Sequence, residues 1–546
     1  MPQIVNLDAL ISREDFEILS DAANTASNLK DTIPATDLEF GHLTYAVLRK
    51  PDFQRETAAW SAEAVADLVQ SFIEENLIPS IILWRAPNRT LFVIDGAHRL
   101  SALIAWVNND YGDGKRSRDF FQNIIPLQQE KAALVAREII EERIGSYHDL
   151  RAAATYPKGA KPRHIELARV LGSVALNIQW VRGSAETAER SYFKINSGAV
   201  KVDDTELTMI DARRKPNALA ARAIVRAGTG HKYWSKFTEP IQDEIEDTAH
   251  EVYDLLFKPT LETTTIKSLD VPVAGRGYSA DSVKMIFALV NFVNRPSMAD
   301  TKDPAPDRRS RKEGESQVLP DDPDGSATLT YLKAVRRAAS RISGDAPGSL
   351  GLHPLVYFYG ATGKFQPTAF LATIAFVRDL EARDAFPEFT EARARFEEFL
   401  HRYRYFVNQI GRNYGALERG LSPMRTMYGT MLTGITAGKS DEEIVQELQA
   451  QPQLKKALRA DAEEDKKYQR NLTADNATSA FLREAMQGAV KCSICGARIH
   501  SRSMSMDHDK RRQDGGGDSP DNLKPTHPYC NTGYKERRVA QGKKGS

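Results

Sequence analysis

The sequence predicts an α+β, multidomain protein: a mixed α/β N-terminal domain, a mainly helical middle, and a small C-terminal domain closed by a structural metal. Three observations lead there. At 546 residues the chain exceeds one ordinary domain of ~150 residues several-fold. Its apolar residues follow both strand and helix periods over the first 215 positions and mostly the helical period thereafter. All three cysteines fall between Cys492 and Cys530. With 41% hydrophobic and 27% charged residues the chain has ample material for cores. A formal net charge of +1 means that any nucleic-acid footprint has to be local. Residues 491–546 supply such a footprint, with twelve Lys and Arg against six Asp and Glu.

Residues 1–215, with a core at about 40–215, form the expected α/β domain. Val65, Leu68, Val69, Phe72 and Ile73 recur at helical spacing, which predicts an amphipathic helix over Ala62–Glu75, ended by Pro79. The apolar runs Ser80–Trp84 and Thr90–Ile94 flank Ala86-Pro87-Asn88-Arg89 and read as a β-hairpin. Asp95-Gly96 closes the second strand, and Ala97–Val107 continues as a helix.

A helical domain is expected over 216–450, with segments such as Ala369–Leu380 and Phe396–Gln409. Inside it, Pro296–Ser326 is crowded with Asp, Arg, Lys, Pro and Gly and predicts a disordered loop at about 296–326. The polar stretch Gln451–Thr478 predicts a linker or helical spacer at 451–480, ahead of a C-terminal domain at 481–546. Gly434–Ser440 imitates a phosphate-binding loop but has three residues between its glycines where four are needed. Ser440-Asp-Glu-Glu443 instead reads as a capping box that starts a helix.

The opening residues MPQIVNLDALISRED lack a basic-then-apolar leader pattern, and the apolar run Phe370–Val377 is far shorter than the ~20 residues of a membrane span. A cytoplasmic protein without membrane partners is expected, and three cysteines fit that compartment because an odd count leaves a thiol unpaired.

Cys492-x-x-Cys495 and His527-x-x-Cys530 form two knuckles, each placing two ligands on a tight turn, so that together they complete one tetrahedral site. Thiolate and imidazole ligation favours Zn²⁺ over hard cations. Around the knuckles stand Met506-Asp507-His508, Gly515-Gly516-Gly517, Ser519, Asn522-Leu523, Asn531 and Lys535. This segment, about 490–538, resembles the HNH, or ββα-metal, nucleases in their zinc-knuckle form. The resemblance implies phosphodiester hydrolysis, with His508 as general base and Asp507 and Asn531 holding a catalytic Mg²⁺ or Mn²⁺. It implies Asn522 holding the Asp-His strand against the helix and Lys535 touching phosphate. Asn531 stands where many relatives carry His, a change that suits an oxygen-preferring ion.

Further forward, Pro51-Asp52-Phe53-Gln54-Arg55, Asp95-Gly96-Ala97-His98-Arg99 and Phe193-Lys194-Ile195-Asn196-Ser197-Gly198 follow one another over residues 40–215. In that order they resemble the ParB/sulfiredoxin-like domain of the GmrSD-type restriction factors and of SspE, with its P-x-x-QR, DGQQR and IN-x-G segments. The resemblance implies binding and hydrolysis of an NTP (GTP, CTP or ATP) that gates the nuclease. Gln54, Arg55, Asp95, Gly96, His98, Arg99 and Asn196 are the expected nucleotide-site residues. Ala97 and His98 replace the two Gln of the motif; if the first Gln serves hydrolysis, Ala97 leaves binding without turnover.

The combined expectation is a metal-dependent endonuclease acting on double-stranded phage or foreign DNA, NTP-regulated and responsive to DNA modification, with homo-oligomerisation open. Two alternatives stand beside it: a ParB-like DNA-binding regulator with a non-cutting zinc ribbon, and an NTPase-centred signalling protein with a degenerate HNH unit.

Overall fold

The computed structural model describes residues 4–14, 16, 29–54, 57–58, 60–198, 204–261, 265–277, 280–295, 319–459 and 473–540. These fall into two compact units. One is built on the residues up to Arg214 together with 229–235, and the other on 215–228, 236–295 and 320–540. The expected loop at 296–326 lies largely outside the described residues.

The first unit is organised by a six-stranded mixed sheet of β1 (Arg13–Glu14), β2 (Thr32–Pro34), β3 (Leu48–Pro51), β4 (Ile81–Arg85), β5 (Leu91–Asp95) and β6 (Ala175–Val181), in the order β1-β3-β5-β4-β6-β2. β4 and β5 form the expected hairpin, its turn closed by the Arg89 N–H donating to the Ala86 carbonyl. Helix α1 (Ala62–Ile73) stops two residues short of the expected end, and its first turn is capped by the Ser61 hydroxyl accepting from the Ala64 N–H. Helix α2 (Ala97–Asn108) is buried along most of its length, and α3 (Leu127–Arg143) is another helix of this unit. Val65, Val69, Phe72, Leu100, Leu103, Ala132, Ala136 and Ile140, from these three helices, share one core. A second core on the other side gathers Phe16, Phe53, Trp84, Phe92 and Tyr192, the last from helix α4 (Ala185–Gly198).

The second unit is helical: α5 (Pro216–Val225), α6 (Glu239–Phe257), α7 (Ala280–Asn294), α8 (Ser326–Ile342), α9 (Pro367–Ala382), α10 (Phe386–Arg402), α11 (Tyr405–Tyr414), α12 (Glu418–Thr436), α13 (Asp441–Ala450) and α14 (Ala474–Ala485). The continuous helix expected over Phe396–Gln409 is broken after Arg402, where Tyr403 packs tilted against Phe399 (4.5 Å) and stacks on Phe406 (5.2 Å). Ser440 and Glu443 make the reciprocal capping box that opens α13, which settles the false phosphate loop as a helix start.

The C-terminal segment belongs to this same unit, held by a buried ion pair. Arg393 and Glu397, one turn apart on α10, are each 1% exposed and meet at 2.9 Å. Arg393 donates to the Leu350 and Gly351 carbonyls, and the second Glu397 oxygen accepts the Arg498 backbone N–H at 3.0 Å. Gly351, at φ 56°, leaves no room for a Cβ, which would lie 2.8 Å from Ser503 Cβ and 3.2 Å from His527 Cδ2. Arg393→Ala leaves Glu397 buried without its countercharge, and a loss of about 3–5 kcal/mol is expected from denaturant unfolding of the purified protein. A change below about 1 kcal/mol would contradict this role.

Candidate metal and nuclease site

Four ligand groups converge beside that ion pair. The Sγ atoms of Cys492, Cys495 and Cys530 and a ring nitrogen of His527 all lie within 4.8 Å of one another. Tetrahedral zinc with Zn–S bonds of about 2.3 Å spaces its ligands about 3.8 Å apart, so the cluster suits it. His527 Nδ1 is 3.4 Å from Cys495 Sγ and 3.7 Å from Cys530 Sγ. Its other nitrogen, Nε2, donates to the Arg498 carbonyl at 3.0 Å, which fixes the tautomer with a lone pair on the Nδ1 that faces the sulfurs. Burial, followed by the Arg393 charge, holds His527 below the usual imidazole range, so it is neutral and able to ligate. The sulfurs share hydrogen bonds: Cys492, engaged by Cys495 and Cys530, titrates well below a free thiol, while Cys495 is pushed up to about 12.

The cluster anchors both ends of a hairpin and a helix. β7 (Ser505–His508) pairs antiparallel with β8 (Leu523–Thr526), with Leu523 opposite His508 and Lys524 opposite Asp507. The chain then turns through a π-helical stretch, Cys530–Tyr534, into α15 (Lys535–Ala540). Such wide turns recur at functional sites, and here one begins four residues after β8 and supplies both Cys530 and Asn531.

The structure brings the expected nuclease residues together. Both N–H donors of Asn531 Nδ2 are used on this strand, toward Ser505 Oγ (2.9 Å) and the Met506 carbonyl (3.2 Å), which leaves Oδ1 as the free oxygen donor. Lys535 Nζ donates to Asp507 Oδ1 (2.7 Å), Asp507 Oδ2 (2.6 Å) and the His508 carbonyl (3.0 Å), so all three of its donors are engaged. Asp507 and Asn531 thus offer a carboxylate and an amide oxygen beside the same strand, a donor set that suits Mg²⁺ or Mn²⁺. Asn522 pins the intervening loop: its Oδ1 accepts from the Lys510 N–H at 2.7 Å, and its Nδ2 donates to the Lys510 and Gly517 carbonyls. His508 Nε2 lies 2.7 Å from Asp518 Oδ1, and Arg512 grips the same carboxylate through both oxygens at 2.9 Å. Sequence reasoning missed Asp518 and Arg512; Asp518 follows the three glycines directly, but nothing in the motif distinguishes it from Asp509, Asp514, Asp521 and Glu536 nearby.

In the first unit, β3 and β5 are parallel neighbours, so the segment after Pro51 and the Asp95-Gly96 turn lie at the same, carboxyl, end of adjacent strands. That is where α/β sheets bind ligands. Gly96 adopts φ 90° at the start of α2, a conformation a side chain rarely tolerates. Arg99 donates to Asp95 Oδ2 at 2.7 Å and to the Ser80 carbonyl at 3.2 Å, while its buried Nε has no partner among the described residues. Asp95 therefore pairs with Arg99 rather than capping the helix. His98 stacks on Trp60, with ring centroids 5.7 Å apart. Gln54 is buried, and its backbone carbonyl accepts from Arg13. Phe53 packs against Tyr192 and Phe193 of α4, which brings the first and third motifs together. Arg55 and the side chain of Asn196 lie outside the described residues. Asp52 and Arg213, paired at 3.2 Å with Arg213 over the Phe53 ring, escaped sequence reasoning because Arg213 lies beyond the last motif.

The ββα arrangement with its Cys/His staple defines the C-terminal part as an endonuclease domain. Comparison with protein families names both parts: residues 492–537 match the HNH endonuclease, and residues 39–210 match the GmrSD restriction endonuclease, N-terminal domain. The chain therefore joins a GmrSD-type N-terminal domain to an HNH domain, the composition of a restriction-type nuclease acting on DNA. Comparison with curated proteins and with solved structures gives no match. Among the described residues no helix is long and apolar enough to cross a membrane.

Proposed function

We propose that this chain is a metal-dependent DNA endonuclease whose N-terminal α/β domain binds an NTP that regulates cutting of invading double-stranded DNA. The observation that carries the reading is the gathering of Asp507, His508, Asn531 and Lys535 on one zinc-stapled hairpin and helix. Asp507 and Asn531 would hold Mg²⁺ or Mn²⁺, which when bound offsets charge on the scissile phosphate and the leaving oxygen. His508, at the end of β7, takes the proton from the attacking water. Lys535 neutralises Asp507 in the resting site and is placed to meet a backbone phosphate once DNA enters. Asn522 fixes the loop and acts through position alone. The zinc is structural, since Cys492, Cys495, His527 and Cys530 fill all four places.

In the α/β domain, the N-terminus of α2 presents backbone N–H groups, and Arg99 adds a guanidinium with an unused N–H, together a site for phosphate oxygens. If the Gln that Ala97 replaces serves hydrolysis, the site binds an NTP without turning it over.

The test is cleavage of modified and unmodified DNA with each NTP in turn, alongside NTP binding by calorimetry. Arg99→Ala is expected to weaken NTP binding at least about tenfold and to remove any NTP effect on cleavage. Unchanged binding in that variant removes the nucleotide site. DNA binding without cutting would identify a regulator, and NTP turnover without cutting a signalling protein.

A further inference from the structure

We propose that Asp518 is the positioning residue for His508, selecting Nδ1 as the nitrogen that accepts the proton and leaving Arg512 a secondary role. The inference rests on the nuclease reading above and adds to it an acid that no motif marks. A carboxylate only accepts hydrogen bonds, so the 2.7 Å contact places the proton of a neutral His508 on Nε2. The lone pair then sits on Nδ1, which makes no hydrogen bond to the described residues.

The loop that carries Asp518 is built to hold it there. The Gly516 N–H donates to the Arg511 carbonyl at 2.9 Å, and a Cβ at Gly516 would lie only 1.9 Å from the Lys510 carbonyl oxygen. Gly517, the residue before Asp518, is gripped through its carbonyl by Asn522 at 2.7 Å. Asn522, which the motif does mark, thus holds in place the acid that it does not. Arg512 bonds both Asp518 oxygens from the solvent side of a carboxyl group that is 63% exposed. The 2.7 Å bond to the ring and the Asn522 grip on Gly517 hold the carboxylate in place, and the Arg512 guanidinium adds to them from outside. The arrangement follows the general logic of an acid that orients a histidine base by its second nitrogen.

The alternative is that Asp518 and Arg512 form only a surface ion pair that closes the loop. The two readings separate on the full-length protein, using supercoiled plasmid and Mg²⁺ in single-turnover cleavage with protein in excess of DNA. Asp518→Asn keeps the shape but offers an N–H to Nε2, which favours the wrong tautomer. It is expected to lower the maximal single-turnover rate at least about tenfold without raising the protein concentration that half-saturates it, with zinc content and Tm unchanged. Arg512→Ala leaves the His508–Asp518 contact in place and is expected to stay within about threefold of wild type in rate. A wild-type rate in Asp518→Asn, or equal losses in both variants, overturns the assignment while the nuclease reading stands. Failure of the wild type to cut removes the nuclease reading itself, and the assignment with it.

Discussion

Cys530→Ser is expected to lose nearly all bound zinc and to loosen residues 490–540 as a block. The reason lies in how little else holds them. Their local core consists of Cys492, Ile499 and Cys530, with Ile494 and Cys495 half-buried around it. Three of those five side chains are themselves ligands, so the metal takes the place of a hydrophobic centre. Structural zinc sites contribute on the order of 10–16 kcal/mol in isolated zinc modules, and a hydroxyl is a poor substitute for a thiolate. Zinc per chain, measured by mass spectrometry, should fall below about one-tenth of wild type, and hydrogen exchange should rise across both strands and the following helix. The helical body keeps its own larger core, with Phe370, Phe376, Phe389, Phe396 and Tyr428 buried, so exchange there should change mainly where Glu397 meets Arg498 and Gly351 meets Ser503. Full zinc occupancy in Cys530→Ser would mean that the four residues do not form the site.

His508→Ala carries the second large effect: a loss of about 10²–10⁴ in cleavage rate with DNA affinity and zinc retained. The ring ends a strand and lies at the surface of the site, and among the described residues its only hydrogen bond is the one to Asp518. Removing it therefore costs little stability, which separates a chemical loss from a folding loss. Unaltered cleavage by this variant would move the chemistry elsewhere in the chain.

What could be read from the sequence followed the range of the forces involved. The hairpin β4–β5 and helix α2 were legible within a residue or two because alternation, a turn-forming Pro-Asn and a glycine stop are local signals. The convergence of Cys492, Cys495, His527 and Cys530 was legible because a tetrahedral site would impose that spacing on the chain. Asn522 and Asn531 came from the motif, and the structure places both on the hairpin and helix. The sheet order was not legible, since β1, β3 and β6 meet their neighbours through pairings far apart in sequence. Arg393 and Glu397 were equally hidden: an Arg and a Glu four apart on a helix look like a solvent-facing pair until the C-terminal segment closes over them. The break in the Phe396–Gln409 helix depends on ring stacking that no periodicity reports. Arg55 lies among residues that the structure does not describe.

The most direct test of the account is incubation of the purified full-length protein with supercoiled plasmid and Mg²⁺ or Mn²⁺, on unmodified and modified DNA, with and without each NTP. The wild type should give nicked or linear product in at least one of these conditions, abolished by chelation and by His508→Ala. Intact plasmid in every condition, from protein that carries one zinc per chain, would contradict it.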